Sequence, residues 1–310
     1  MQKNNFKGTL ILLLTSLIWG FAFVAQTKAS KSIPPFAFNA VRSFIGAFCL
    51  FSYLFVKRWV SGEKILSKTK QMRKDTAVAA ILCGVMLCIA ANLQQAGITA
   101  YPKNVSASAR AGFITALYVI IVPILSLFSK RKPPLIIFFA AAAAAIGVYL
   151  LCNNGKMGGL YLGDILMLLC ALAFSLHILT VDRFGYKTDG IKLSAYQFLI
   201  CGTLSAVISL IFEKGGLSFS AIISSFWAIM YVGILSSGVA YTLQIVGQKY
   251  AEPSIASIAM SFESVFAAIG GILFGEKMLS LKEAGGCLLM FIAIIAAQLP
   301  DVVKAKKSRS

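Results

Sequence analysis

Ten apolar stretches, each close to twenty residues long, take up nearly all of this 310-residue chain. They fall at about 8–28, 34–56, 76–98, 105–128, 134–152, 160–181, 191–212, 225–247, 253–274 and 281–299. About twenty consecutive apolar residues cross a bilayer as a helix, and in lipid a single segment satisfies its own backbone polar groups in no other way. The longest connection, 57–75, is under twenty residues and leaves no room for a water-soluble domain. Charged residues make up 13 % of the chain and mean hydropathy is +0.83, against roughly 25 % charged in soluble domains. The reading is an all-α integral membrane protein with ten transmembrane helices.

The net charge of +18 is unevenly placed. If the amino terminus faces the cytoplasm, twenty of the 29 Lys and Arg fall on that side: in the tail before the first span, the 57–75 loop, "KRK" at 130–132, Arg183, Lys187, Lys192, Lys249 and the "KAKKSRS" end. Seven fall on the other side, and Arg42 and Arg110 lie inside spans. This bias puts both termini in the cytoplasm and the protein in the cytoplasmic membrane. A nucleic-acid partner needs an exposed basic face, and these charges sit in short loops, so none is expected. The basic 300–310 tail rests near anionic headgroups, which makes membrane lipid a partner. The first apolar run lacks a small-x-small cleavage site and is followed by nine more spans, so it reads as a retained helix rather than a signal peptide. Seven cysteines are scattered without ligand spacing, one His stands alone, and no metal or cofactor is expected.

The two halves echo one another. "SLIWGFAF" (16–23) is answered by "ALAFSLHI" (171–178), and "FNAVRSFIGA" (38–47) by "LSAYQFLICG" (193–202), which sets Arg42 opposite Gln197. "ANLQQAG" (91–97) lies on "YTLQIVG" (241–247), and "GFITALY" (112–118) on "MSFESVF" (260–266). Five spans per half is an odd number, so the second half starts on the opposite face of the membrane. The expected fold is therefore two inverted five-helix repeats, 8–152 and 160–299, around a central cavity, followed by the 300–310 tail. Secondary transporters are often built this way, with the solute site between the repeats.

Several motifs resemble the EamA family of the drug/metabolite transporter superfamily. They are "SLIWGFAFVAQ" in the first span, "FNAVRSFIGA" in the second, "ASARAGFITALYVIIVPIL" in the fourth, and "SFESVFAAIGGILFGEKMLSLKEAGGCLLMFIAII" (261–295). The family often has proline after the glutamate, where this chain has Ser264, so the residue that would kink the ninth span is missing. The resemblance implies ten helices in a basket, with spans one, three, four, six, eight and nine around the cavity. It also implies movement of small metabolites, often export of amino acids or related solutes.

Polar residues in the spans supply candidates for the site. At 1.5 Å per residue, Arg110 lies about 10 Å in from one face and Glu263 about 15 Å in from the other. In a core of roughly 30 Å their side chains differ in depth by about 5 Å. Intramembrane charges usually face the bundle interior and find partners, so the two either share a cavity or Arg110 snorkels to water while Glu263 stays buried alone. Arg42 is at a similar depth in a helix that the resemblance puts at the periphery, and reads as a structural charge. Trp19 and Phe23 share a face with Gln26; Asn92 shares one with Gln95; Ser237, Tyr241, Gln244 and Gln248 form a stripe; His177 stands in the sixth span. Each of these is either a helix–helix hydrogen bond or contact or part of a solute cavity, and the set from spans one, three, four, six, eight and nine points to the cavity. "GLYLG" (159–163), "GILFG" (271–275) and the 140–145 alanine run allow close helix approach.

The function expected is secondary transport of a small polar or amphipathic metabolite, an amino acid or related solute, by export and alternating access. The chain has no GxxxxGK[ST] phosphate loop, which leaves the solute gradient or a coupled ion as the energy source. Glu263 is the candidate for proton coupling, since buried carboxyl groups can titrate usefully, and Arg110 the candidate donor to an anionic group. Paired catalytic carboxylates, a nucleophile–base pair or a metal set are not in evidence, so an enzyme is not expected. A lipid-linked or polyprenyl-carrier translocase and a non-transporting sensor or structural protein remain as alternatives.

Overall fold

The computed structural model of the chain describes residues 5–61, 69–102, 107–128, 133–152, 161–213, 218–274 and 281–307, and all of its regular structure is helical. In chain order the helices are α1 (Asn5–Ala29), α2 (Pro35–Ser61), α3 (Lys70–Ala100), α4 (Ala107–Thr115), α5 (Tyr118–Leu127), α6 (Leu135–Cys152), α7 (Leu162–Gly185) and α8 (Gly190–Phe212). Then follow α9 (Phe219–Ser224), α10 (Phe226–Met230), a π-helical stretch (Tyr231–Ala240), α11 (Tyr241–Tyr250), α12 (Pro253–Met260), α13 (Glu263–Leu273) and α14 (Leu281–Lys307). Among the described residues, eight stretches are long and apolar enough to cross a membrane, and two shorter apolar helices, Leu135–Gly147 and Ala284–Ala297, accompany them. The "KRK" loop, Gly159 of "GLYLG" and Gly275–Glu276 of the carboxyl-terminal motif lie outside the described residues.

Helix ends leave backbone donors without intrahelical partners, and side chains take them up. Asp189 accepts from the Ile191 and Lys192 amides at the start of α8, and Thr69 accepts from Met72 at the start of α3. The α2 start is capped from far away. Glu213, just past α8, receives the Phe36 and Ala37 amides at 2.8 and 2.9 Å. Pro35 opens that helix, a position where its missing N–H removes nothing.

Three apolar stretches are not continuous α-helices. The fourth breaks at Ala116 and Leu117, where Leu117 bonds back to Ile114 and Val119 to Ala116, three residues rather than four. The ninth breaks at Ser261 and Phe262 without a proline. There the Ser257, Ser261 and Ser264 hydroxyls bond the carbonyls three residues earlier, a competition with the backbone that bends helices. The eighth winds as a π-helix from Tyr231 to Ala240, a form that often marks functional positions.

The helices of the first 152 residues pack chiefly on those that follow, with α3 on α7 and α8, α2 on α8, α6 on α14, and α1 on α13 and α11. Small residues permit this. A Cβ on Gly20 would lie 2.3 Å from the Phe266 Cβ, and one on Gly163 would lie 2.9 Å from the Gly97 carbonyl oxygen. Alanines of α6, Ala140 and Ala144, meet Ala293 and Ala297 of α14. Large apolar side chains such as Phe48, Phe55, Leu210 and Phe212 point outward, as a surface immersed in lipid requires. Trp59 and Trp227, also exposed, stand near span ends.

Candidate functional site

The two helix breaks meet in the middle of the bundle. Tyr118 is the first residue of α5 and Glu263 the first residue of α13. The Tyr118 hydroxyl donates to Glu263 Oε1 at 2.9 Å, and both side chains are buried. A carboxylate at a helix start also faces the positive end of the helix dipole. Beside this pair lies a cavity whose walls include Trp19, Phe23, Tyr241, Gln244 and Glu263, together with Arg42. Its volume is about 20 Å³. A single water needs about 10–15 Å³, so the site is narrow.

The walls are aromatic and amide-rich. The Trp19 and Tyr241 rings lie 4.7 Å apart at 57°, and Phe198 meets the Tyr241 ring edge-on at 5.1 Å. Arg42 is 3 % exposed and donates through Nη1 to Gln26 Oε1 at 3.2 Å. Its Nε, the indole Nε1 of Trp19 and Oε1 of Gln244 are buried without a hydrogen-bond partner among the described residues. Unsatisfied buried polar atoms cost about 1–3 kcal/mol each, and here three belong to the walls of one cavity.

Other sequence candidates stand elsewhere. Arg110 is joined to Asp164, not to Glu263, with Nε to Oδ1 at 2.7 Å and Nη2 to Oδ2 at 2.8 Å. Asp164 also receives the Tyr101 hydroxyl and the Tyr161 amide, and the Arg110 guanidinium lies 5.0 Å from the Tyr161 ring centroid. Asp164 sits in the first turn of α7, next to the start of that span, where α4 comes within reach. Asn92 is held between α2 and α8, accepting from Asn39 and donating to Ser205 and the Cys88 carbonyl. His177 Nε2 lies 3.1 Å from Gln197 Oε1 and its ring meets Tyr241 edge-on. Gln95 donates to the Gln26 carbonyl at 3.4 Å.

Several wall residues carried no sequence signal. Gln94 rather than Gln95 reaches the cavity, as do Thr115, Tyr118, Phe174 and Ile178. Ser236 lines it while its neighbour Ser237 does not, because the Tyr241 amide bonds to the Ser236 carbonyl across a π turn. That winding moves the stripe one residue from the α-helical register. Tyr118 could have been found only by aligning the two breaks, which pairs it with Glu263, whereas alignment of the apolar motifs places it beside Phe266.

The model of the EamA-like transporter family matches this chain twice, at 6–153 and 161–297. The chain belongs to the EamA-like transporter family. An uncharacterized transporter of Archaeoglobus fulgidus is 28 % identical over 93 % of this chain and 84 % of its own length. The uncharacterized transporter YoaV of Bacillus subtilis is 25 % identical over 93 % of this chain and 95 % of its own. A solved crystal structure matches with a TM-score of 0.74 at 20 % identity, covering 94 % of this chain and 96 % of that one, and so shares the fold. This EamA-like protein is accordingly a multi-pass membrane protein of a transporter family.

Proposed function

We propose that the protein is a secondary transporter that moves a small metabolite, an amino acid or related amphipathic solute, by exposing the central cavity to each side in turn. The observation that carries this is the pair of helix breaks at corresponding places in the two halves, whose second segments begin with the bonded residues Tyr118 and Glu263. Interrupted helices at matching positions of two repeats are a pointer to the site in transporters built from inverted repeats.

The packing supports the same reading. Counting ten spans, exchange of each span for its counterpart five places on turns the contact of α3 with α7 into that of α1 with α11. It turns α3 with α8 into α2 with the π stretch, and α1 with α13 into α4 with α7, all of which occur. An odd number of spans per half inverts one repeat relative to the other, and the charge bias sets both termini in the cytoplasm. Export is the direction we assign. Glu263 serves as the proton carrier, with Tyr118 as its partner, and rocking of the halves widens the narrow cavity.

Purified protein in liposomes, loaded with a metabolite mixture, tests this: one class of solute leaves faster than from equally loaded protein-free vesicles, and a proton gradient changes its rate. Glu263→Gln flattens the pH dependence. No solute-specific flux at any gradient would remove the transporter reading and leave a sensor or structural role. A polyprenyl-carrier translocase needs a polar lateral opening. The open groove between α6 and α14 is instead lined by Leu135, Phe139, Ala143, Ile292 and other apolar residues.

A further inference from the structure

Arg42 is a buried cation without a counter-ion. Among the described residues no carboxylate lies within 4 Å of it, its one hydrogen bond goes to a neutral amide at 3.2 Å, and its Nε bonds to nothing. A guanidinium removed from water and left unpaired is strongly unfavourable, and in membrane helices such residues mark solute or ion paths. The fold does not demand the charge. In the second half Gln197 stands at the matching position, where it forms the corresponding contact to the preceding span through His177 at 3.1 Å. A neutral amide suffices there, so a cation at 42 needs another reason.

The cavity supplies one. Arg42 lines it together with Trp19 and Tyr241, and the unpaired Gln244 Oε1 and Trp19 Nε1 belong to the same walls. We propose that Arg42 anchors a carboxylate of the transported solute, while the Trp19 and Tyr241 rings hold the solute's apolar body. This rests on the transporter reading above. A guanidinium matches the fork of a carboxylate, and one unpaired cation balances one negative charge, not the two of a phosphate monoester.

The test uses full-length protein in nanodiscs and reads binding by tryptophan fluorescence and thermal shift. The probes are matched pairs: phenylacetate with phenylacetamide, indole-3-acetate with indole-3-acetamide, 4-methylpentanoate with its amide, and phenyl phosphate as the dianion. Wild type is expected to prefer at least one acid over its amide by about tenfold or more, in line with charge-assisted bonds, and to reject phenyl phosphate. Arg42→Gln, which copies the residue of the second half, brings acid and amide to within about threefold, and Arg42→Lys restores part of the preference. An unchanged preference in Arg42→Gln overturns the proposal, as does equal binding of acids and amides by wild type or binding of no pair. A preference for phenyl phosphate overturns the carboxylate assignment. Arg42-dependent binding of acids without flux in liposomes removes the transporter reading while the anchor stands. Flux that is indifferent to Arg42→Gln removes the anchor and leaves transport.

Discussion

Arg42 and Arg110 both lie inside apolar spans, and their surroundings are opposite. Arg110 is 29 % exposed at the side chain and is gripped by Asp164 through two bonds, with Tyr161 beneath it. Arg42 is almost fully buried and has one bond to Gln26. Their depths in the spans are similar, so depth alone would treat the two alike. The difference teaches that the state of the partners, rather than the position in the span, separates a tie from a site. Arg110 has a carboxylate partner within the protein and fastens α4 to α7. Arg42 has donors to spare beside a cavity.

The largest effect expected from breaking this contrast is at Arg42. Truncation to Ala removes a charged anchor whose loss from a buried pair costs about 2–5 kcal/mol, so flux of the preferred solute in liposomes falls by about 100-fold or more. Protein yield and the Arg110–Asp164 end of the bundle stay unchanged. Glu263→Gln comes next. It retains the bond from Tyr118, because the amide oxygen still accepts, but it has no proton to exchange. Flux driven by a proton gradient drops by about tenfold, while exchange of labelled for unlabelled solute without a gradient persists. Equal loss in both assays would show that Glu263 binds solute or holds structure rather than carrying a proton.

The parts of this site that sequence could supply follow the α-helical repeat. Trp19 and Phe23 are four residues apart on one helix, Tyr241 and Gln244 three apart on another, and each pair therefore shares a face that lines the cavity. The rest of the site departs from that repeat or depends on a distant element. The π turn at Tyr241 put Ser236 where spacing put Ser237. Both breaks came without a helix-breaking residue at the break itself, the ninth through serine hydroxyls that compete for carbonyls. Arg42 reads as peripheral until α2 is packed against the π stretch and the guanidinium reaches Gln26 of α1. Asp164 sits at a span edge where an acidic residue looks like an ordinary first-turn carboxylate, so nothing local marks it as the partner of a residue 54 positions earlier.

Disrupting Arg110 should have a different signature from disrupting Arg42. Arg110→Ala leaves Asp164 buried with the Tyr101 and Tyr161 donors still in place. The loss is about 2 kcal/mol, between the limits for exposed and buried ion pairs, and appears as a lower unfolding temperature in detergent. Asp164→Asn gives a similar loss, and the double variant loses less than the sum of the two, since the second change removes a group that has already lost its partner. The acid-over-amide preference is retained in all three. A collapse of that preference in Arg110→Ala would erase the contrast and make both arginines part of one solute path.

The smallest effect is expected at Asn92, which tests whether a buried polar residue away from the cavity can be silent in function. Its amide joins α3 to α2 and α8 through Asn39 and Ser205 and also bonds the Cys88 carbonyl one turn back. Hydrogen bonds between membrane helices average well under 1 kcal/mol, because the separated helices find other partners. Asn39 keeps its bond to the Ala91 carbonyl at 2.7 Å when Asn92 is truncated. Asn92→Ala therefore lowers stability by about 1 kcal/mol and leaves solute preference and pH dependence as in wild type. A change in solute preference at equal protein level would mean that the α2–α3–α8 contact sets the position of Arg42. Arg42 would then be tuned from behind, through Asn39 on its own helix, and the separation between packing amides and cavity amides would no longer hold.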